Sequence, residues 1–150
     1  MTKGQNKKVV IQSIFKRNGG RGKDTKIFSD LPPGDQEYFR SKIALVEDEH
    51  FVVVHYKSPQ KWSLVTTTRF LFTEDNIIRI VESSDILSAS YALGSPTLPV
   101  KNKSEMNRLK LVTRSCGTLF LTLEPGPAYF AMLSVLKYLA IAGSAIRETS

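Results

Sequence analysis

Nineteen residues from Ala128 to Ile146 carry a single charge, Lys137, and the fold must account for that apolar stretch. Pro127 precedes it and suits the first helical position, where its missing N–H has no intrahelical partner to lose. A helix of this length meets the requirement for a membrane span. Lys137 argues against one, because it falls at the centre, where a charge costs about 3 kcal/mol. Ser134, Lys137 and Ser144 recur at close to helical spacing and mark a thin polar stripe. The other faces are more apolar than packing on one sheet requires. The excess predicts a second partner: the N-terminal segment, another subunit or a ligand protein.

Upstream of the helix the sequence has the period of strands. His50 to Tyr56 is rich in β-branched and aromatic residues, and Lys57 to Lys61 reads as a turn. Trp62 to Phe72 reads as one long strand with Leu64, Thr66, Thr68, Phe70 and Phe72 on one side. Ile77 to Val81 and Ile86 to Tyr91 are shorter strands. Leu109 to Thr113 pairs with Leu119 to Leu123 across a turn at Arg114 to Gly117. Six strands are thus expected. Residues 92–104 read as a loop, long for a compact domain and therefore a candidate functional loop. Before the strands, Asp30 to Asp35 is a breaker cluster, and Phe39, Ile43 and Val46 share one face of a short helix that Asp35 is placed to cap.

The net charge of +7 lies in one place. Lys3, Lys7, Lys8, Lys16, Arg17, Arg21, Lys23 and Lys26 are opposed within residues 1–26 by Asp24 alone, and the rest of the chain is balanced. Residues 1–29 are expected to be a basic, flexible leader because Gly4, Gly19, Gly20 and Gly22 interrupt them. Val9, Val10, Ile14 and Phe15 fall at helical spacings and leave a short amphipathic helix open as the alternative. Such a leader serves as a solvated tail or attracts lipid headgroups or nucleic acid phosphates. The 150-residue length fits one domain, here 30–150. A lone Cys116 fits a reducing compartment, and the short apolar run Val9 to Phe15 does not make a secretory signal. The expected location is cytoplasmic, with peripheral membrane attachment as the alternative.

Motifs that carry chemistry are absent from the sequence. It holds no nucleophile elbow, no metalloprotease helix and no glycine loop between a strand and a helix. His50 and His55 are five apart in a strand, hence on opposite faces, and cannot chelate one metal as a local pair. Glu47, Asp48 and Glu49 read as a solvated turn. Cys116 reads as an unreactive thiol near a turn. No catalytic residue, metal, cofactor or small-molecule substrate is expected. Arg69 reads as an ion-pair partner on the outer face of its strand, or as part of a modest basic patch with Lys57, Lys61 and Arg79.

The run Trp62 to Phe72, a following short strand and then Ser84-Asp85-Ile86 resemble the bacterial pleckstrin-homology-like (PH-like, GRAM-like) domain family. That family often shows a Thr-x-x-Arg-aliphatic pattern, answered here by Thr66 to Phe70, before a late hairpin and a closing helix. The resemblance covers about residues 43–146. It implies a mainly β fold with α: a strongly bent antiparallel sheet, or partly open barrel, closed by a C-terminal helix, with a short helix before the first strand. The family fold has seven strands, which places an unread one within 92–108. The lipid-binding pattern of eukaryotic members is incomplete, with Thr67 two positions before Arg69. Fold does not carry function. The expectation is a binding or assembly module for a protein partner or for self-association. Anionic membrane is the alternative and nucleic acid a third; Lys7, Lys8, Lys16, Arg17, Arg21, Lys57, Lys61 and Arg69 are the candidate anion or lipid contacts.

Overall fold

The computed structural model describes residues 1–92 and 106–149. Helix α1 (Lys3–Arg17) comes first, followed by strand β1 (Thr25–Ile27), a 3-10 turn at Phe28–Asp30 and helix α2 (Pro33–Lys42). Strands β2 (Phe51–Ser58), β3 (Lys61–Thr66), β4 (Arg69–Glu74) and β5 (Ile77–Glu82) form a meander. A second 3-10 turn, Ser83–Asp85, leads to β6 (Ile86–Tyr91), β7 (Arg108–Thr113) and β8 (Thr118–Thr122), and helix α3 (Pro127–Thr149) closes the chain. All strand pairs are antiparallel. They form two sheets, ordered β1-β2-β3-β4-β5 and β6-β7-β8. The fold is therefore mixed α/β with two sheets and no closed barrel among the described residues. A single bent sheet is not what forms among the described residues, because the turn at Ser83–Asp85 diverts the chain and places β5 and β6 at the ends of separate sheets.

The described strands depart from expectation in two places. Trp62 to Phe72 is two strands, since Thr67 and Thr68 turn the chain back and set Val65 against Phe70 and Leu64 against Leu71. Thr66 holds that turn: its hydroxyl accepts the N–H groups of Thr68 and Arg69. The reversal changes the alternation. Val65 shares the main core with Phe70 and Phe72, whereas Leu64 and Leu71 face the other way, toward α2. The other unexpected strand is β1. The proposed location of an unread strand, within 92–108, falls mainly on residues 93–105, which lie outside the described residues, as does nearly all of the 92–104 loop.

The main core lies between the sheets and under two helices. Val53, Phe70 and Val81 of the first sheet meet Leu109, Leu111 and Leu121 of the second, and Met132, Leu136 and Leu139 of α3 cover them. Ile11 and Phe15 of α1 join the same cluster. The N-terminal segment is thus the second partner of the apolar helix. Residues 1–29, expected to form a flexible leader, are folded into the molecule: α1 packs and β1 adds to β2. The α3 helix is long and apolar enough to cross a membrane, yet 56% of its apolar window is buried inside this fold. Its polar stripe is exposed at Lys137 and half-buried at Ser134 and Ser144, and Ile141 is its one large apolar side chain left well exposed among the described residues. A smaller core covers the other face of the first sheet, where Phe39 and Ile43 of the α2 segment pack with Phe28, Trp62 and Leu71; Val46, expected to share that face, is exposed. Pro32, not Asp35, occupies the cap of α2, and Asp35 lies in its first turn, where a carboxylate favours the helix dipole.

Candidate functional site

Of the three acids expected to form a solvated turn, Glu47 is exposed, but Asp48 and Glu49 have defined partners. Asp48 accepts the Thr2 hydroxyl at 2.5 Å and the Gly4 N–H at 2.8 Å, which caps α1 from a distant loop. These bonds hold its carboxyl below the ordinary range. Glu49 is buried. Burial pushes its pKa up, but bonds from Arg69, Thr66, Val46 and Thr68 outweigh that and the net shift is downward. Arg69 gives Nε at 2.7 Å and Nη2 at 2.9 Å to Glu49, and Nη2 also reaches the Ala44 carbonyl. The Thr66 and Arg69 pair of the family-like pattern is therefore a structural knot.

That knot removes Arg69 from the anion-contact set. Its guanidinium is committed, and it lies at the Phe51–Thr66 end of the first sheet, whereas Lys57 and Lys61 sit at the opposite, Ser58–Lys61 end. A strand of six residues separates the two ends by about 17 Å. Arg79 pairs with Glu74 at 3.5 Å. The expected patch of Lys57, Lys61, Arg69 and Arg79 does not assemble. Lys16, Arg17 and Arg21 are exposed, while Lys7 and Lys8 are half-buried. Lys8 lines a cavity of about 460 Å³ with Arg40 and His50, between α1, α2 and the loop that follows α2.

Lys57 and Lys61 instead border a larger cleft of about 630 Å³. One wall comes from β2 to β4, with His55, Ser63 and Phe72 in cross-strand register. The other is β8 and its exit, where Phe120, Leu121, Thr122, Leu123 and Glu124 all take part. Both faces of a strand line a cavity only when the strand's edge borders it. Among the described residues β8 is an edge, paired on one side with β7. The Leu123 N–H points to β7, where it meets the Asn107 carbonyl. Antiparallel pairing alternates, so the N–H and C=O groups of Phe120 and Thr122 point away from β7, along the free edge.

Asp24, His55 and Glu124 meet in the wall of this cleft. Each offers one donor atom, and those atoms all lie within 4.8 Å of one another. Glu124 is held by the Lys23 N–H at 2.6 Å, the Asp24 N–H at 2.8 Å and the Thr25 hydroxyl at 2.9 Å. Burial raises its pKa, but those bonds and His55 bring it below the ordinary value. His55 is 8% exposed. Burial lowers its pKa against the opposing pull of Glu124 and Asp24. As the spacing argument required, His50 and His55 do not share a site: His50 sits against Asp48 at 3.3 Å. Cys116 is free and exposed in the β7–β8 turn.

Sequence reasoning missed Asp24 and Glu124 as partners of His55, because they are separated from it by 31 and 69 positions. The signals available were faint. Asp24 is the single acid in the basic segment, and Glu124 is the acid that closes β8 ahead of Pro125-Gly126-Pro127. Comparison with protein-family models, with curated proteins and with solved structures gave no match.

Proposed function

We propose that this chain is a non-catalytic, cytoplasmic binding module of PH-like character that takes an extended segment of a protein partner along β8. The edge of β8, free among the described residues and bordering the 630 Å³ cleft, is the observation that carries this reading. A sheet edge offers main-chain donors and acceptors for strand addition, and the side pockets supply selectivity. Leu121, Leu123 and Phe72 give the cleft apolar surface, and Lys57, Lys61, Glu74 and Asp75 give it a charged rim. The four-strand meander β2–β5, the three-strand β6–β8 unit and the closing α3 follow the order that the family resemblance implies, which supports the PH-like reading.

The deciding experiment is to capture partners from the native cell and map the segment that binds by amide chemical-shift changes. Shifts centred on Phe120 to Leu123 are expected. A partner that binds while leaving β8 and the cleft unperturbed would remove this reading.

One observation favours anionic membrane as the second reading. Val9 and Val10 are about half exposed on α1, which bears Lys3, Lys7, Lys8, Lys16 and Arg17 and no acid. Apolar side chains beside lysines are what an interfacial helix presents. Sedimentation with anionic and with neutral vesicles separates the two readings, and a salt-titrated gel shift tests nucleic acid as a third.

A further inference from the structure

We propose that Asp24, His55 and Glu124 form a binding site for a first-row divalent cation of the Zn²⁺ class, open on its fourth side to the cleft. The site stands independently of strand addition on β8, since its donors are in place without a peptide.

His55 supplies the strongest observation. It is more than nine-tenths buried, and no hydrogen bond to its ring is found among the described residues. Its nitrogens are nevertheless not sealed off, since Trp62 Nε1 is the one fully enclosed side-chain polar atom without a partner among the described residues. The donor nitrogen of His55 lies within 4.8 Å of two carboxylate oxygens from separate parts of the chain, one ahead of β1 and one after β8. Imidazole in its neutral form is the commonest protein ligand for such metals.

Glu124 is pre-oriented. Its Oε1 accepts two hydrogen bonds and its Oε2 one. A carboxylate has about four acceptor positions, so one remains, on Oε2. The Lys23 and Asp24 N–H groups and the Thr25 hydroxyl act as the outer partners that fix a ligating carboxylate. Asp24, in contrast, makes no side-chain hydrogen bond among the described residues, so none has to break for its half-buried carboxylate to turn. That freedom matters, because tetrahedral ligation at about 2.1 Å needs donors about 3.4 Å apart. Separations of up to 4.8 Å must therefore close by as much as about 1.4 Å. Two carboxylates and a neutral imidazole balance a divalent charge. One nitrogen and two oxygens select a borderline ion over Ca²⁺ or Mg²⁺, which prefer oxygen alone. Lys57 is a positive charge felt at His55 and lines the same cleft.

The test is a Co²⁺ titration of untagged, chelator-treated full-length protein, followed by visible absorption and calorimetry, in a Cys116→Ser background that removes the exposed thiol as a competing ligand. Saturable binding of one ion at micromolar metal is expected, with competition by Zn²⁺. His55→Ala should weaken it by at least about 30-fold. Asp24→Asn, which removes no internal hydrogen bond, should weaken it by about 10-fold and serves if His55→Ala fails to fold. His50→Ala should leave it unchanged. Absence of binding below millimolar metal overturns the proposal, as does binding that survives both Asp24→Asn and His55→Ala or is lost in His50→Ala. Peptide mapping on β8 reads a separate property, so failure of one leaves the other standing.

Discussion

Glu49 receives two bonds from the Arg69 guanidinium and further bonds from the Thr66 and Thr68 hydroxyls and the Val46 N–H. Deleting Arg69 leaves a buried carboxylate without its counter-charge, which typically costs about 3–5 kcal/mol. Arg69→Met is therefore expected to lower the denaturant midpoint strongly, read by the fluorescence of Trp62, the single tryptophan. Vesicle binding by the folded fraction should not change; a selective loss of vesicle binding at intact stability would return Arg69 to the anion-contact set. The same carboxylate makes stability depend on pH. Its folded pKa is depressed, so its contribution is fully present above the unfolded value of about 4.3 and is lost as pH falls through the lower folded value. Glu49→Gln should flatten the acid limb of stability measured by urea titration between neutral and acid pH. An unchanged acid limb would assign the effect elsewhere.

Among the elements, the contact of α3 with the rest of the fold is set at Gly143. A Cβ there would overlap the Ser83 carbonyl, so the helix sits directly on the 3-10 turn between the sheets. Alanine favours a helix over glycine by about 1 kcal/mol. Gly143→Ala is nevertheless expected to destabilise, since overpacking costs about 1–3 kcal/mol; a raised midpoint in thermal unfolding would contradict the contact. On the other side of α3, Phe15 of α1 is 1% exposed. Phe15→Ala should cost about 3–5 kcal/mol, whereas a truly flexible leader would tolerate it without measurable loss.

The strands after α2 and helix α3 were legible because β-branched runs and an uncharged stretch admit few other readings, whereas β1, three residues long, carries no such run. Helix α1 was half legible. Its apolar spacing was visible, but four glycines and eight cations in residues 1–26 also describe a mobile tail, and only the docking of Ile11 and Phe15 decides between them. The division of the Trp62–Phe72 run was hidden, because three consecutive threonines suit a strand as well as a turn. Asp24, His55 and Glu124 are joined solely by the way β1 and the exit of β8 meet, a relation with no sequence period.

For the whole molecule, the cleft and the outer face of α1 make opposed demands that two variants can separate. Thr122 presents its N–H on the free side of β8, and proline at such a position removes an outward donor without removing a ladder bond. Thr122→Pro is expected to keep most of the stability while reducing partner affinity by about 10-fold, as loss of a main-chain bond and of the adjoining fit would require. Val9→Asp combined with Val10→Asp leaves β8 untouched and places two carboxylates on a half-exposed face of α1. If the protein works as a strand-addition module, the proline variant loses its captured partner and the aspartate variant keeps it. If it works at anionic membranes, the aspartate variant loses vesicle sedimentation and the proline variant retains it. Deleting residues 1–26 cannot make this distinction, because the deletion also strips Ile11 and Phe15 from the core under α3. Point substitutions on the two surfaces are the comparison that assigns binding to β8 or to α1.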